Sequence, residues 1–583
     1  MLQPIKEKYG SDLSWGDLVI LAGNAAIESM GGPVLGFCGG RIDDFDGSDS
    51  IILGPSEEQE ELTPCAIEGA CAGSLGPVAV GLIYVNPAGH LGVPEPSGGI
   101  INDIRASFGK MGMNDTETLA LTGGGHAFGK CHGACDSPPC GDGKGSNTFT
   151  SGFEGAWTAQ PTTWTNQYFT NLFAYDWNLH TGPGGNPQWF PVAKDGSSFV
   201  PDIMMLTSDI ALTKDPEFLS ISQEFATDIT KLEMQFKHAW YKLTTRDMGP
   251  ISRCLGENIP PAQPFQAPLP ESPDSLPDFI PIREKIQSII DSNIGKRQAF
   301  ISLVSKCASS FRATDYHGGC NGAHIRFDDD LETQDTISTL TTIKDEYNEA
   351  SFADLIVLAA QVSLEDAGSN AMAFCAGRTD ASEKNREFVK PIVYDTQLRN
   401  SVKVRDNMAV QGLSVRQGVA LAGLPNKSED LSNDFFMKLM KASDEGNQGD
   451  FSHEEWALTE DEELRAIAKL YADNEEVFMA EFENAWTYLV TADRFEGPRS
   501  NACNGISTPT LKDIGDTMDI KNIEELNESK EENAITVSGL SIAFIVIGSI
   551  LGVVGITALV LAEKKKQGKS GNLEVTTSTG DQV

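Results

Sequence analysis

The sequence predicts a mostly α-helical protein with two tandem, related domains and one membrane-spanning helix. Three observations predict it. Apolar residues recur at three-to-four spacing through SWGDLVILAGNAAIESM, DLIVLAAQVSLED and EFATDITKLEMQFKHAWYKL, while alternating strand patterns are scarce; this spacing lines one face of a helix. LSWGDLVILAGNAAIESMGGPVLGFCGGR (13–41) matches ASFADLIVLAAQVSLEDAGSNAMAFCAGR (350–378) without a gap, pairing Asp17 with Asp354, Phe37-Cys38 with Phe374-Cys375 and Arg41 with Arg378. Residues 534–562 carry no charge and are long enough to cross a bilayer.

The duplication orders the chain. KHAWYKLTTRDMGP (237–250) resembles ENAWTYLVTADRFEGP (483–498), so the repeat is one large unit rather than a short solenoid motif. The first domain is expected over 1–255 and the second over 279–497. A Pro-rich stretch, 256–278, reads as an extended linker between them. A polar linker, 498–533, then leads to the apolar helix 534–562 and a tail, 563–583, that begins with Lys564, Lys565 and Lys566. Acidic residues before that helix and lysines after it predict lumenal or extracellular domains and a cytosolic tail. Gly548 and Gly552 would let two such helices pack. On this topology Asn426 and Asn527 stand in glycosylation sequons.

The segment KCASSFRATDYHGGCNGAHIRFDD (306–329) precedes the position matching Met1 and has no counterpart in the first unit. MLQPIKEKYG has no apolar core of a signal peptide. The expectation is a first domain lacking its N-terminal helices and a missing signal peptide.

Composition excludes one class of partner. With 83 acidic and 44 basic residues the formal charge is −39, and neutralising nucleic-acid phosphates needs clustered Lys and Arg. Eleven cysteines leave at least one unpaired, and their scattered positions do not suggest a small disulfide framework. Cys131, Cys135, Cys140 and His132 lie close enough to raise structural zinc, though the spacing matches no standard finger. A disulfide within that loop is the alternative in an oxidising compartment.

The stretch NDTETLALTGGGHAFGKCHGAC (114–135) carries the chemistry. Asn114 and Glu117 form a capping-box start, and the glycine run is expected to end the helix. That places His126 beside glycines that let a large flat group approach, where a neutral imidazole can ligate iron.

Together with GLIYVNPAGHLGVPEP (81–96), TSGFEGAWTAQPTTWTNQYFTNLFAYDW (150–177), MMLTSDIALTKDP (204–216) and HAWYKLTTRDMGP (238–250), that stretch resembles the catalase-peroxidases. The similarity runs from residue 1 to about 497. The resemblance implies two tandem haem-peroxidase-like helical domains, with one haem b per chain in the first. It makes His126 the axial ligand of the haem iron and Asp209 the carboxylate that hydrogen-bonds its other ring nitrogen. Trp157 becomes the indole beside that pair, and Lys130 and His132 approach the haem propionates. Tyr84 and Met111 match members of a Met–Tyr–Trp covalent adduct, and Arg246 the mobile arginine that assists it. The third adduct member and the distal Arg, Trp and His are absent from this chain. His90 departs from the pattern and is not expected to replace them. In the second half, aligning QGVALAGLP (417–425) with ETLALTGGGH sets Leu424 opposite His126, so that copy is a degenerate, non-haem support.

The expected partners are hydrogen peroxide and small organic electron donors, with a homodimer left open. The expected function is peroxide decomposition and donor oxidation in oxidative-stress defence. The alternative is a catalytically impaired haem-binding or scaffold protein.

Overall fold

The computed structural model describes residues 1–47, 65–67, 70–71, 85–134, 152–197, 200–273, 275–382, 398–425, 430–498 and 500–503. The chain divides into two units, Met1–Pro509 and Thr510–Val583, and everything below concerns the first.

That unit is helical and twofold repeated. Trp15–Ser29, Gly99–Lys110, Asp115–Gly125, Gln167–Ala174, Thr207–Ala211, Pro216–Thr227 and Ile229–Thr245 follow one another in the first half. Phe352–Asp366, Asn400–Gln411, Val415–Leu421, Asp434–Asp444, His453–Ala457, Glu462–Asp473 and Glu475–Thr491 follow in the same order in the second. The repeat extends to single bonds. Ser14 and Ser351 cap their helices through the amides of Asp17 and Asp354. Each aspartate then accepts from a loop glycine amide (Gly40 or Gly377, both 2.8 Å) and from its arginine, Arg41 or Arg378. Those arginines reach on to the carbonyls of Thr244 and Val490 at the ends of the last helices. Trp240 stacks along Phe236, and Trp486 along Phe482, at 6.3 and 6.4 Å.

The copies differ in what covers the first of these helices. Ile356 and Leu358 are fully buried, whereas Val19 and Leu21 at the equivalent positions are 54% and 43% exposed. Helices Ile280–Ser292 and Gly295–Ala308 pack against Phe352–Asp366, and no described residues of the first half form their counterparts.

The described residues of 256–278 form no α-helix, as an extended linker would not, and they are tied to the rest of the unit. Phe37 N–H bonds the Asn258 carbonyl (3.0 Å), His238 meets Gln263 (3.0 Å), the Phe265 carbonyl lies 2.6 Å from His317 Nε2, and Ser272 donates to Gly377 O (3.0 Å). Backbone and side-chain groups of both halves thus bond to a stretch that its prolines keep from helical pairing. The scattered cysteines do form bridges: Cys38–Cys254, Cys307–Cys320 and Cys375–Cys503. The first and last occupy equivalent positions in the two halves. They join residues far apart in sequence, so spacing along the chain did not reveal them.

The expected single-pass membrane placement is also corrected. No helix among the described residues is long and apolar enough to cross a membrane, and segment 534–562, on which that placement rested, lies outside the described residues. With it go the membrane partner, the lumenal domains and the cytosolic tail. Asn426 and Asn527 also lie outside the described residues.

Strands are few, but one hairpin was missed by the sequence reading. Tyr175–Thr181 pairs antiparallel with Pro187–Ala193 over seven residues. Its turn, GPGGN, was legible; the flanking alternation was masked by aromatic residues spread over both faces.

Candidate functional site

The capping box is as read: Glu117 N–H bonds Asn114 Oδ1 (2.9 Å) and Asn114 N–H bonds Glu117 Oε2 (3.0 Å). The helix ends on the last of the three glycines, Gly125, as expected, with His126 as its C-cap and the His126 amide bonded to Thr122 O (2.8 Å). A Cβ on Gly123 would lie 2.1 Å from the Phe169 ring, and one on Gly124 2.1 Å from that of Phe236. These two glycines therefore admit core aromatics rather than a cofactor. Only Gly125 faces open space, with nothing within 4 Å of a Cβ there.

His126, Trp157 and Asp209 come together. The imidazole stacks on the Trp157 indole, centroids 3.9 Å apart and 8° from parallel. His126 Nδ1 lies 3.0 Å from Asp209 Oδ1, and Trp157 Nε1 donates to Oδ2 at 2.8 Å. The Asp209 side chain is fully buried, while that of His126 is 28% exposed. Burial works against ionisation of Asp209, but the His126 interaction, the Leu206 amide and the Tyr168 hydroxyl outweigh it and hold the carboxyl below its ordinary range. An ionised carboxylate only accepts, so Nδ1 carries a proton and Nε2 is the ring nitrogen left to act as a ligand. The arrangement thus presents Nε2 from the partly exposed edge of a buried cluster. This donor set, beside the open space at Gly125, fits a haem iron.

Tyr168 is the residue that sequence reasoning missed. Its hydroxyl donates to Asp209 Oδ1 at 2.8 Å, and its ring meets His126 edge-on at 5.6 Å. Burial, then the Asp209 charge, pushes the phenol well above its ordinary value and keeps it protonated. Nothing in TTWTNQYFTNL marked this tyrosine apart from its aromatic neighbours.

The hairpin positions two of these groups. Gln188 clamps residue 154 through both backbone directions, at 3.0 and 2.8 Å, three residues before Trp157. Trp189 exchanges backbone bonds with Met205 at 2.8 Å each and donates its indole N–H to Thr207 (3.1 Å), bracing the turn before Asp209. Asn171 ties the Trp157 carbonyl to its helix at 3.1 Å.

The remaining candidates sit elsewhere. Lys130 and His132 are exposed; Lys130 pairs with Glu154 at 3.3 Å, and His132 lies opposite Glu154 in a short ladder. Met111 is buried with Met113, Leu121 and Ala239, apart from the His126 cluster. Arg246 begins the turn after Ile229–Thr245 and feels the charges of Asp315, Arg312 and Asp247. His90 is held by Asp103 at 2.8 Å. Tyr84 lies outside the described residues.

Of the cysteine loop, Cys131 is described: burial, with the Asp209 and Glu154 charges, pushes its thiol up to about 12. No group of described residues could hold a metal ion through three His, Cys, Asp or Glu; Cys135 and Cys140 lie outside the described residues.

The register of the second half is also corrected. Ser414 and Gln417 form the capping box equivalent to Asn114 and Glu117. Gly423 backs onto Phe436 as Gly123 backs onto Phe169. This common offset pairs Leu424 with Gly124 rather than with His126.

A model of the peroxidase family matches residues 1–228 and 282–425, which sets the class of protein. The chain is 35% identical over 602 residues to a catalase-peroxidase of Gloeobacter violaceus, covering 86% of this chain and 82% of that protein. It is 34% identical over 600 residues to one from Rhodopirellula baltica (85% and 70% covered), and 35% over 602 to one from Escherichia coli (85% and 80%). The chain belongs to the catalase-peroxidase family: it is an oxidoreductase, and its cofactor is haem.

Proposed function

We propose that the first half holds haem b through His126 Nε2 and uses it to decompose hydrogen peroxide and to oxidise small organic donors in oxidative-stress defence. The observation that carries this reading is the buried Asp209 bonded to His126 Nδ1, with Trp157 stacked on the imidazole. When bound, the haem supplies the iron at which the peroxide O–O bond is split. Asp209 fixes the imidazole tautomer and raises its basicity as a ligand. Trp157 fixes the ring plane. Lys130 and His132, at one exposed edge, would hold the haem propionates. Tyr84, Met111 and Arg246 are assigned to the catalase branch of the reaction on resemblance. The second half supports the first without haem. A dimer of this chain is compatible with the reading.

A second reading is a haem-binding protein with impaired turnover. Haem titration followed by oxygen release from peroxide separates the two. The parent chain is expected to bind one haem and release oxygen. Asp209→Asn is expected to lose about 10- to 100-fold in activity, the usual cost of removing a ligand's hydrogen-bond partner. Unchanged haem binding and turnover in His126→Ala would overturn the assignment.

A further inference from the structure

Asp209 is unusually heavily bonded for a buried carboxylate. Leu206 N–H (2.7 Å) and Trp157 Nε1–H (2.8 Å) share Oδ2. His126 Nδ1–H (3.0 Å) and Tyr168 O–H (2.8 Å) share Oδ1. With two donors on each oxygen, the acceptor capacity of the group is filled. Tyr168 therefore does more than satisfy a spare lone pair. It draws on the same oxygen that polarises the His126 ring. Bonds from a neutral donor to a charged acceptor are among the stronger hydrogen bonds in proteins. Charge committed to the phenol is charge withheld from the imidazole N–H.

The phenol is held there by the fold. Tyr168 is fully buried, its ring packs edge-on against Phe169 at 5.0 Å, and its helix is pinned by Asn166 Nδ2 bonding the carbonyls of Phe225 and Ala226. The second half offers an independent comparison. Asn433 makes the same two bonds, to Tyr471 O and Ala472 O, so the residue equivalent to Tyr168 is Phe435. The equivalent of Asp209 is Glu455, which accepts from Ser452 N–H (2.7 Å) as Asp209 accepts from Leu206 N–H. The hydroxyl occurs in the copy that carries a buried carboxylate bonded to an imidazole. In the other copy a phenylalanine fills the same place, so packing alone does not call for the oxygen.

We infer that Tyr168 is a positioning residue that weakens the pull of Asp209 on His126 and so raises the reduction potential of the bound haem. This rests on His126 being the axial ligand. Removing the hydroxyl returns charge to Oδ1, gives the ring more imidazolate character and favours the ferric state.

The test uses the full-length haem-loaded chain and Tyr168→Phe, read by the iron–imidazole stretching band of the ferrous protein and by redox titration. Tyr168→Phe is expected to keep its haem, to shift the band to higher frequency and to move the ferric–ferrous equilibrium about tenfold toward ferric, about 59 mV for one electron. 3-Fluorotyrosine at position 168 keeps the shape and donates more strongly; it is expected to move both readouts the opposite way, and it serves if the phenylalanine variant does not fold. A band present in the parent but unmoved in the variants, with the equilibrium within twofold, overturns the role of Tyr168 alone. Absence of the band in the parent overturns the ligand assignment of His126, and this inference with it.

Discussion

Three consecutive glycines precede His126, and the structure assigns them opposite responses to one methyl group. Within a helix, Gly→Ala ordinarily stabilises by about 1 kcal/mol. At Gly123 the new carbon would sit 2.1 Å from Phe169 Cε2, and at Gly124 2.1 Å from Phe236 Cδ2, where carbon contacts need about 3.5–4.0 Å. Both rings are at most 1% exposed and have no free side to retreat to. Overpacking of that kind costs up to about 3 kcal/mol, which leaves Gly123→Ala and Gly124→Ala destabilised by about 2 kcal/mol. At Gly125 nothing lies within 4 Å, so Gly125→Ala keeps the full gain of about 1 kcal/mol. The separation between variants one helical step apart is then about 3 kcal/mol, roughly two orders of magnitude in the folding equilibrium. Urea unfolding of the haem-free protein, followed by far-ultraviolet circular dichroism, measures it. Equal stability of Gly123→Ala and Gly125→Ala would refute the packing role given to the first two glycines.

Two further outcomes follow from the frame. Burial opposes ionisation of Asp315, but bonds from His317 and Arg312 hold its carboxyl at about 2, against an ordinary 3.8. A depressed carboxyl stabilises the fold above its unfolded value and loses that contribution as pH falls; here about 2 kcal/mol is present above pH 3.8 and lost on the way to pH 2. Asp315→Asn is expected to be the less stable protein at pH 6 and to lose less on acidification, which paired urea titrations would show. Cys38–Cys254 closes a loop of sequence separation 216, for which chain entropy gives about 5 kcal/mol. Replacing both with serine is expected to lower the thermal midpoint markedly, and an intact Cys38–Cys254 peptide should be recovered from the unreduced parent by mass spectrometry; equal midpoints would argue against a bridge in solution.

The parts of the fold legible in the sequence were those with local causes. Helical spacing, the Asn114–Glu117 box and the gapless match of 13–41 with 350–378 each depend on residues near one another in the chain, and the structure contains all three. The approach of His126, Trp157 and Asp209 was legible only through resemblance, because 83 residues separate the imidazole from its carboxylate. Tyr168 was not legible: a hydroxyl aimed at a buried carboxylate looks, in sequence, like one more aromatic in TNQYFTNL. The glycine run was misread because the rings of Phe169 and Phe236 arrive from other helices, and a sequence shows that Cβ atoms are missing without showing what fills their place. The long-range bridges Cys38–Cys254 and Cys375–Cys503 escaped for the same reason.

The paired latches, Asp17 with Arg41 and Asp354 with Arg378, give this molecule its own reference standard. Each joins the start of a long helix to a loop and to the end of the last helix of its half, through the same set of bonds. Only one stands in the half that contains His126. Damage to either perturbs a nearly identical scaffold, so any change in haem retention seen on one side and not the other measures how far the site depends on its distant support. A comparison that elsewhere requires two proteins is present here within a single polypeptide.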